Sequence, residues 1–139
     1  MSLLLDTMVV SELRRATDSR ADPEFASWAA SSSIDTAFIS VITIHELERG
    51  ILLAERKDPA KAAVYRKWLR VITATFDGRL LVVDHRVAQA AAAFHVPDPA
   101  PFADALIAAT AFVHRLTVVT RNTSDFARFG LPQVNPWRP

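Results

Sequence analysis

Short apolar runs, each followed almost at once by a segment of helical period, alternate along this whole sequence, and that alternation limits the fold more than any other feature. Residues 2–5, 36–39, 80–83 and 117–120 are apolar or β-branched and read as strands, the first of them buried on both faces. Between them the apolar residues return at helical spacing. Val9, Val10 and Leu13 do so within 7–15, and Val41, Ile44, Leu47, Ile51 and Leu52 do so from Ser40 onward. Asp22-Pro23 and Asp58-Pro59 each join a capping carboxylate to a proline that fits the first helical position, so helices start there, the second running through 58–75. Ser40 is a further cap. Helices also cover 84–94 and the alanine-rich 102–115, while "HVPDPAP" at 95–101 is a rigid, non-helical connection. A short helical turn at 124–129 leads to an edge strand at 131–134. Strands joined by helices must pair in parallel, with helices covering both faces. The expectation is a three-layer α/β/α sandwich around a central, mostly parallel sheet. With 139 residues, 50% of them hydrophobic, the chain can bury a substantial core as one domain, 1–139.

A net charge of +1 supplies no long-range pull on a polyanion or a membrane, so any nucleic-acid partner must be held by a local patch. Residues 49–70 concentrate positive charge in Arg49, Arg56, Lys57, Lys61, Arg66, Lys67 and Arg70, and read equally well as such a patch or as a solvated helix face. The chain has no cysteine, which excludes disulfides and thiolate metal sites. Neither a membrane-spanning segment nor a signal peptide is evident, so the expectation is a soluble protein of the cytoplasm.

Within this layout Asp6 ends the first strand. In an open parallel sheet ligands bind in the crevice at the carboxyl ends of the strands, so a charge there sits at the rim and need not be buried. Alone, Asp6 reads more simply as a helix cap. Three other acids stand at comparable places. Glu46 lies in "SVITIHELERGI", Asp104 in "PFADALIAATA" and Asp125 in "VVTRNTSDF", where Thr120 and Asn122 add short oxygen-bearing side chains. Glu46 and Gly50 share one flank of their helix, and a glycine inside a helix suggests that something approaches closely. Asp104 has a bland reading as favourable charge on a helix N-terminus. Gathered together, four carboxylates oppose one another's ionisation. A hard divalent cation resolves that conflict, and an all-oxygen ligand set favours Mg2+ or Mn2+ over zinc. Such ions activate water and neutralise charge during phosphodiester cleavage.

These four segments, in this order, resemble the motif regions of the PIN-domain ribonucleases of the VapC type, the toxins of bacterial toxin–antitoxin pairs: "LLLDTMVVSEL", "ISVITIHELERGI", "PFADALIAATA" and "TVVTRNTSDF". Together they cover essentially the whole chain. The resemblance implies Mg2+- or Mn2+-dependent endonucleolytic cleavage of RNA, a cognate VapB-type antitoxin and a homodimer. It makes Asp6, Glu46, Asp104 and Asp125 the acidic cluster and gives Thr120 a supporting role near Asp125. On this reading Asp6, Asp104 and Asp125 bind the metal, with Glu46 as a further ligand or as the group that orients the attacking water. Two departures stand out: Met8 replaces an asparagine common in relatives, and the connection before Asp104 is compressed and proline-rich.

Several residues keep simpler roles. Thr7 reads first as the cap of the first helix, and second as a hydrogen-bond partner for the acids. Arg121, in the last motif, is a candidate phosphate contact, though a loop arginine is as readily just solvated. His45 lacks a second histidine at ligand spacing. Glu12 and Glu48 pair with basic residues on helix surfaces, and Trp28, Trp68 and Trp137 belong to core or interface. The helices over 41–75 carry apolar surface suited to an antitoxin segment, to a second copy of the chain or to ordinary core packing. Two other functions stay open: a noncatalytic scaffold of this fold, and a phosphatase whose strand-end aspartate is the nucleophile. A dinucleotide-dependent oxidoreductase is excluded, because Gly50, Gly78 and Gly130 leave no glycine-rich turn after the first strand.

Overall fold

A computed structural model of the chain describes residues 1–16 and 20–138. Five short strands, β1 (Leu3–Leu5), β2 (Phe38–Ser40), β3 (Leu80–Leu81), β4 (Thr117–Val119) and β5 (Gln133–Val134), form a sheet in the order β3-β2-β1-β4-β5. Every pairing is parallel, with Leu5 opposite Ile39 on one side and Val119 on the other. The central strand therefore puts three leucines where no water reaches, and all three are buried. Alternation along it divides the core. Leu3 and Leu5 join Val9, Val10, Phe25, Ile72 and Phe76 on one face, while Leu4 joins Ala105, Ala108, Ala111, Phe126 and Phe129 on the other.

Helices α1 (Thr7–Ala16), α2 (Pro23–Ser31), α3 (Val41–Glu55) and α4 (Pro59–Thr75) supply the first of these layers, and α5 (His85–Phe94), α6 (Phe102–His114) and α7 (Thr123–Phe126) the second. The expected start signals operate as read. Asp22 accepts from the amides of Glu24 and Phe25, Ser40 from Ile42 and Asp58 from Lys61, and proline occupies the first turn of α2 and α4. Asp84 does the same for Val87. Several strand boundaries are narrower than expected: β3 ends at Leu81 and not Val83, and β5 begins at Gln133 and not Leu131. Residues 36–39 were expected to be extended, but Ile34–Thr36 is a tight 3-10 turn and β2 begins only at Phe38. Local hydrogen bonds from Thr36 to Ser33 outcompete the ladder there.

The proline-rich connection at 95–101 is held from outside. Arg128 donates to the carbonyl oxygens of Phe94, Asp98 and Pro99, and the amide of Ala100 donates to His95 Nδ1 at 3.0 Å. Arg128 thus ties the segment that follows α7 to the loop that feeds α6, and both α6 and α7 carry acids of interest. Among the described residues no helix is long and apolar enough to cross a membrane.

Because Leu4 is fully buried in the core, Leu4→Ala should lower the free energy of unfolding by about 2–5 kcal/mol. Val71→Ala, at a position 59% exposed, should change it by no more than about 0.5 kcal/mol. Urea unfolding monitored by circular dichroism checks both.

Candidate active site

The strand β1 hands the chain directly to α1, and Asp6 is the single residue between them. Its side chain is not at an open rim, as the sequence suggested, but 5% exposed. Its backbone N–H donates to Val119 in β4, so the sheet ladder itself draws it inward. One carboxylate oxygen accepts from the amide of Val9 at 3.0 Å, which makes Asp6, and not Thr7, the cap of α1. The Thr120 hydroxyl bonds to the same carboxyl, and the oxygen of Thr120 in turn accepts from the amide of Asn122 at 3.0 Å. Thr120, to which the resemblance gives a supporting role near Asp125, bonds to Asp6.

Thr7, released from capping, turns to α3. Its hydroxyl donates to Glu46 Oε1 at 2.6 Å, and the buried hydroxyl of Thr43 lies 3.2 Å from it. Thr43 went unnoticed in the sequence. The available signal was a lone polar residue on the core-facing stripe of α3, one turn before Glu46. Asp104 lies in the first turn of α6, where no side chain caps the helix, and Asp125 lies exposed in the first turn of α7. Asn122 brings its amide nitrogen to 3.4 Å from the sulfur of Met8, so the position that departs from relatives still has a polar neighbour.

Electrostatics link these acids. Burial pushes the Asp6 carboxyl up from 3.8 to about 6. The hydrogen bonds from Thr120 and Val9 oppose that rise, and the charges of Asp104 and Glu46 add to it. Asp104 is also raised, first by burial and then by Glu46 and Asp125. Each acid thus feels at least one other from a different part of the chain. Among the described residues, no three acidic or histidine side chains form a closed cage ready for a metal. The donor set is wholly oxygen, partly desolvated and mutually repelling, and that suits a hard cation that keeps several waters and takes only one or two carboxylates directly. His45 is exposed and contributes nothing to this set.

Gly50 shares a cavity of about 330 Å³ with Thr7, Glu46 and Trp68, as its place on the flank of Glu46 implied. The close approach expected there is absent, since a Cβ at Gly50 would meet nothing within 4 Å. Gly50 leaves space beside Glu46, and the cavity stays open there. Glu48 pairs with Arg66 across to α4, which also bonds Glu55, so its partner lies on a neighbouring helix. Glu12 pairs with Arg15 along α1 at 3.9 Å. The three tryptophans pack against the core.

Comparison with known proteins gives one consistent result. The PIN domain family model matches residues 3–131. A protein called VapC ribonuclease Y4jK from Sinorhizobium fredii is 34% identical, with 99% of each chain covered. The crystal structure of FitAcB from Neisseria gonorrhoeae superposes with a TM-score of 0.86 at 33% identity, covering 99% of both chains. A toxin–antitoxin complex from Klebsiella pneumoniae does so with a TM-score of 0.69 at 27% identity, covering 96% of this chain and 97% of the other.

The Asp6 carboxyl has a folded pKa above its unfolded value, so the fold favours its protonated form. The stability it contributes is complete below about pH 4 and is lost as pH rises through about 6. In chelator, the free energy of unfolding should therefore fall between pH 4 and pH 7 by about 3 kcal/mol from this group. Asp6→Asn should flatten that slope and be more stable than wild type at pH 7, as urea titrations at each pH will read.

Proposed function

The chain belongs to the PIN-domain family, and from that premise we propose that it is a VapC-type toxin ribonuclease that cleaves RNA internally with the help of Mg2+ or Mn2+. The observation that carries this reading is the raised carboxyl of Asp6, buried at the end of the central strand within the fields of Asp104 and Glu46. A site built only for stability would not leave like charges facing one another. Asp6, Asp104 and Asp125 would hold the cation directly or through its bound waters, with Glu46 as a further ligand or the orienter of the attacking water. When bound, the cation lowers the pKa of water and stabilises charge on the scissile phosphate.

The chain's own residues do the rest. Asp6 must give up its proton to serve as a ligand, so loading weakens as the solution falls below about pH 6. Thr120 and the Val9 amide orient the Asp6 carboxyl and tie it to the start of α1. Thr7 occupies one oxygen of Glu46 and leaves the other free to accept a hydrogen bond from water. Asp125, exposed on α7, and Asp104 at the start of α6 stand on the solvent side, where a phosphodiester arrives.

The partner on this reading is a cognate VapB-type antitoxin, in line with the toxin–antitoxin complex among the similar structures. Leu52, Leu53, Val64 and Val71 stand exposed on α3 and α4, as apolar surface that an antitoxin segment or a second copy of the chain would cover.

Purified protein should cut structured RNAs with Mg2+ or Mn2+ and lose that activity in chelator, and Asp104→Asn should lower kcat by about 100-fold or more. Cleavage that survives both would refute the assigned site. Thr7→Val, which keeps the shape but removes the donor to Glu46, should cost about 10–100-fold in activity or metal affinity, and Thr7→Ser should restore most of it.

A further inference from the structure

Four carboxylates repel the polyanion they are proposed to cut, so a productive complex needs cationic contacts close by. In the basic stretch at 49–70, Arg66 is committed to Glu48 and Glu55. A different group of residues lies at the strand ends that carry the acids. At the carboxyl ends of β4 and β5, Arg121, Thr123, Asn135, Trp137 and Arg138, with Asp22, line a cavity of about 450 Å³. Its position follows from the sheet. Val119 pairs with Leu5 on one side and Val134 on the other, so Arg121 and Asn135 leave the sheet at the end where Asp6 leaves β1. Arg121 directly follows Thr120, whose hydroxyl holds Asp6, and Thr123 opens the helix that carries Asp125.

The cavity is prepared for an anion. The Arg121 guanidinium lies over the ring of Trp137 at 5.1 Å, and that ring rests on buried Phe25 with centroids 4.8 Å apart. The ring braces the guanidinium, and a guanidinium over an aromatic face keeps N–H donors for a bidentate oxygen acceptor. A turn sets the second cation beside it. Asn135 Oδ1 accepts from the Trp137 amide at 2.9 Å, and the Asn135 carbonyl accepts from the Arg138 amide at 3.0 Å. Using its side-chain oxygen in that turn leaves the Asn135 amide with its two N–H donors. One acid, Asp22, also stands on the wall, where its Oδ1 caps α2 by accepting from Glu24 and Phe25. Among the described residues, neither Arg121 nor Arg138 makes an ion pair.

We propose that Arg121 and Arg138, with Thr123 and Asn135, form a subsite for an RNA backbone phosphate next to the scissile one, which sets the register of the strand over the carboxylates. This inference rests on the nuclease reading and deepens it. The contact is with the backbone and not with a base edge, so it positions substrate without reading sequence.

The test measures binding and cleavage separately. In an Asp104→Asn background that leaves RNA uncut, the affinity of a fluorescein-labelled oligouridylate is followed by anisotropy across a KCl series. Adding Arg121→Gln and Arg138→Gln together should weaken binding by about 10-fold and make the log–log salt slope shallower by about 1. Arg138→Gln alone, at an exposed position, should give a smaller shift of the same sign and keeps the test valid if loss of the Trp137 contact unsettles the fold. With Asp104 intact, the double variant should raise KM by a larger factor than it lowers kcat. Affinity and salt slope equal to those of the parent would overturn the subsite. Absence of metal-dependent cleavage by the wild-type chain would instead overturn the nuclease reading, while anisotropy still decides the subsite.

Discussion

One carboxyl group organises this molecule. Asp6 sits between the central strand and the first helix, where its backbone completes the sheet and its side chain caps α1. Both tasks pull it out of water. Burial raises its proton affinity, and acids from α3 and α6 raise it further. The structure therefore holds a group that is awkward alone and becomes comfortable once opposite charge arrives, which is the arrangement expected where stability is spent on function.

The remaining acids reach Asp6 because a parallel sheet gathers the ends of its strands at one edge. The strand β2 leads into α3 and Glu46, β4 into α7 and Asp125, and the 95–101 connection into α6 and Asp104. Each acid thus stands on a separate element, and its position relative to the others depends on packing between elements. Arg128 is a visible part of that packing, because it clamps the loop before α6 from the segment just after α7. Thr7 is another, because it spans from α1 to Glu46. Neither needs to touch substrate to matter for where the carboxylates stand.

Charge is also divided between two regions. On α4, Arg66 is neutralised by Glu48 and Glu55 from α3 and so ties two helices together. Beyond β4 and β5, Arg121 is braced by an aromatic ring, with Arg138 beside it and no acid paired to either among the described residues. With a net charge of only +1, the chain has no overall field to draw in a polyanion, so the local distribution decides.

The strand–helix alternation, the Asp-Pro helix starts and the order of the four acidic segments were all legible in the sequence, because each depends on neighbours along the chain. Periodicity reports which residues face inward, and caps report where helices begin. Contacts between distant segments were not legible. Nothing local reveals that Asp6 is buried, or that Glu46, Asp104 and Thr120 from distant parts of the chain act on its carboxyl. Nothing local shows that Thr7 abandons the cap for Glu46, that Thr120 serves Asp6, or that Gly50 opens a cavity and admits no close neighbour. Sequence determined which groups were available and on which elements they lie. Tertiary packing alone decided the distances and the exclusion of water that set their chemistry, because Coulomb interactions and desolvation depend on separation in space and not on separation along the chain.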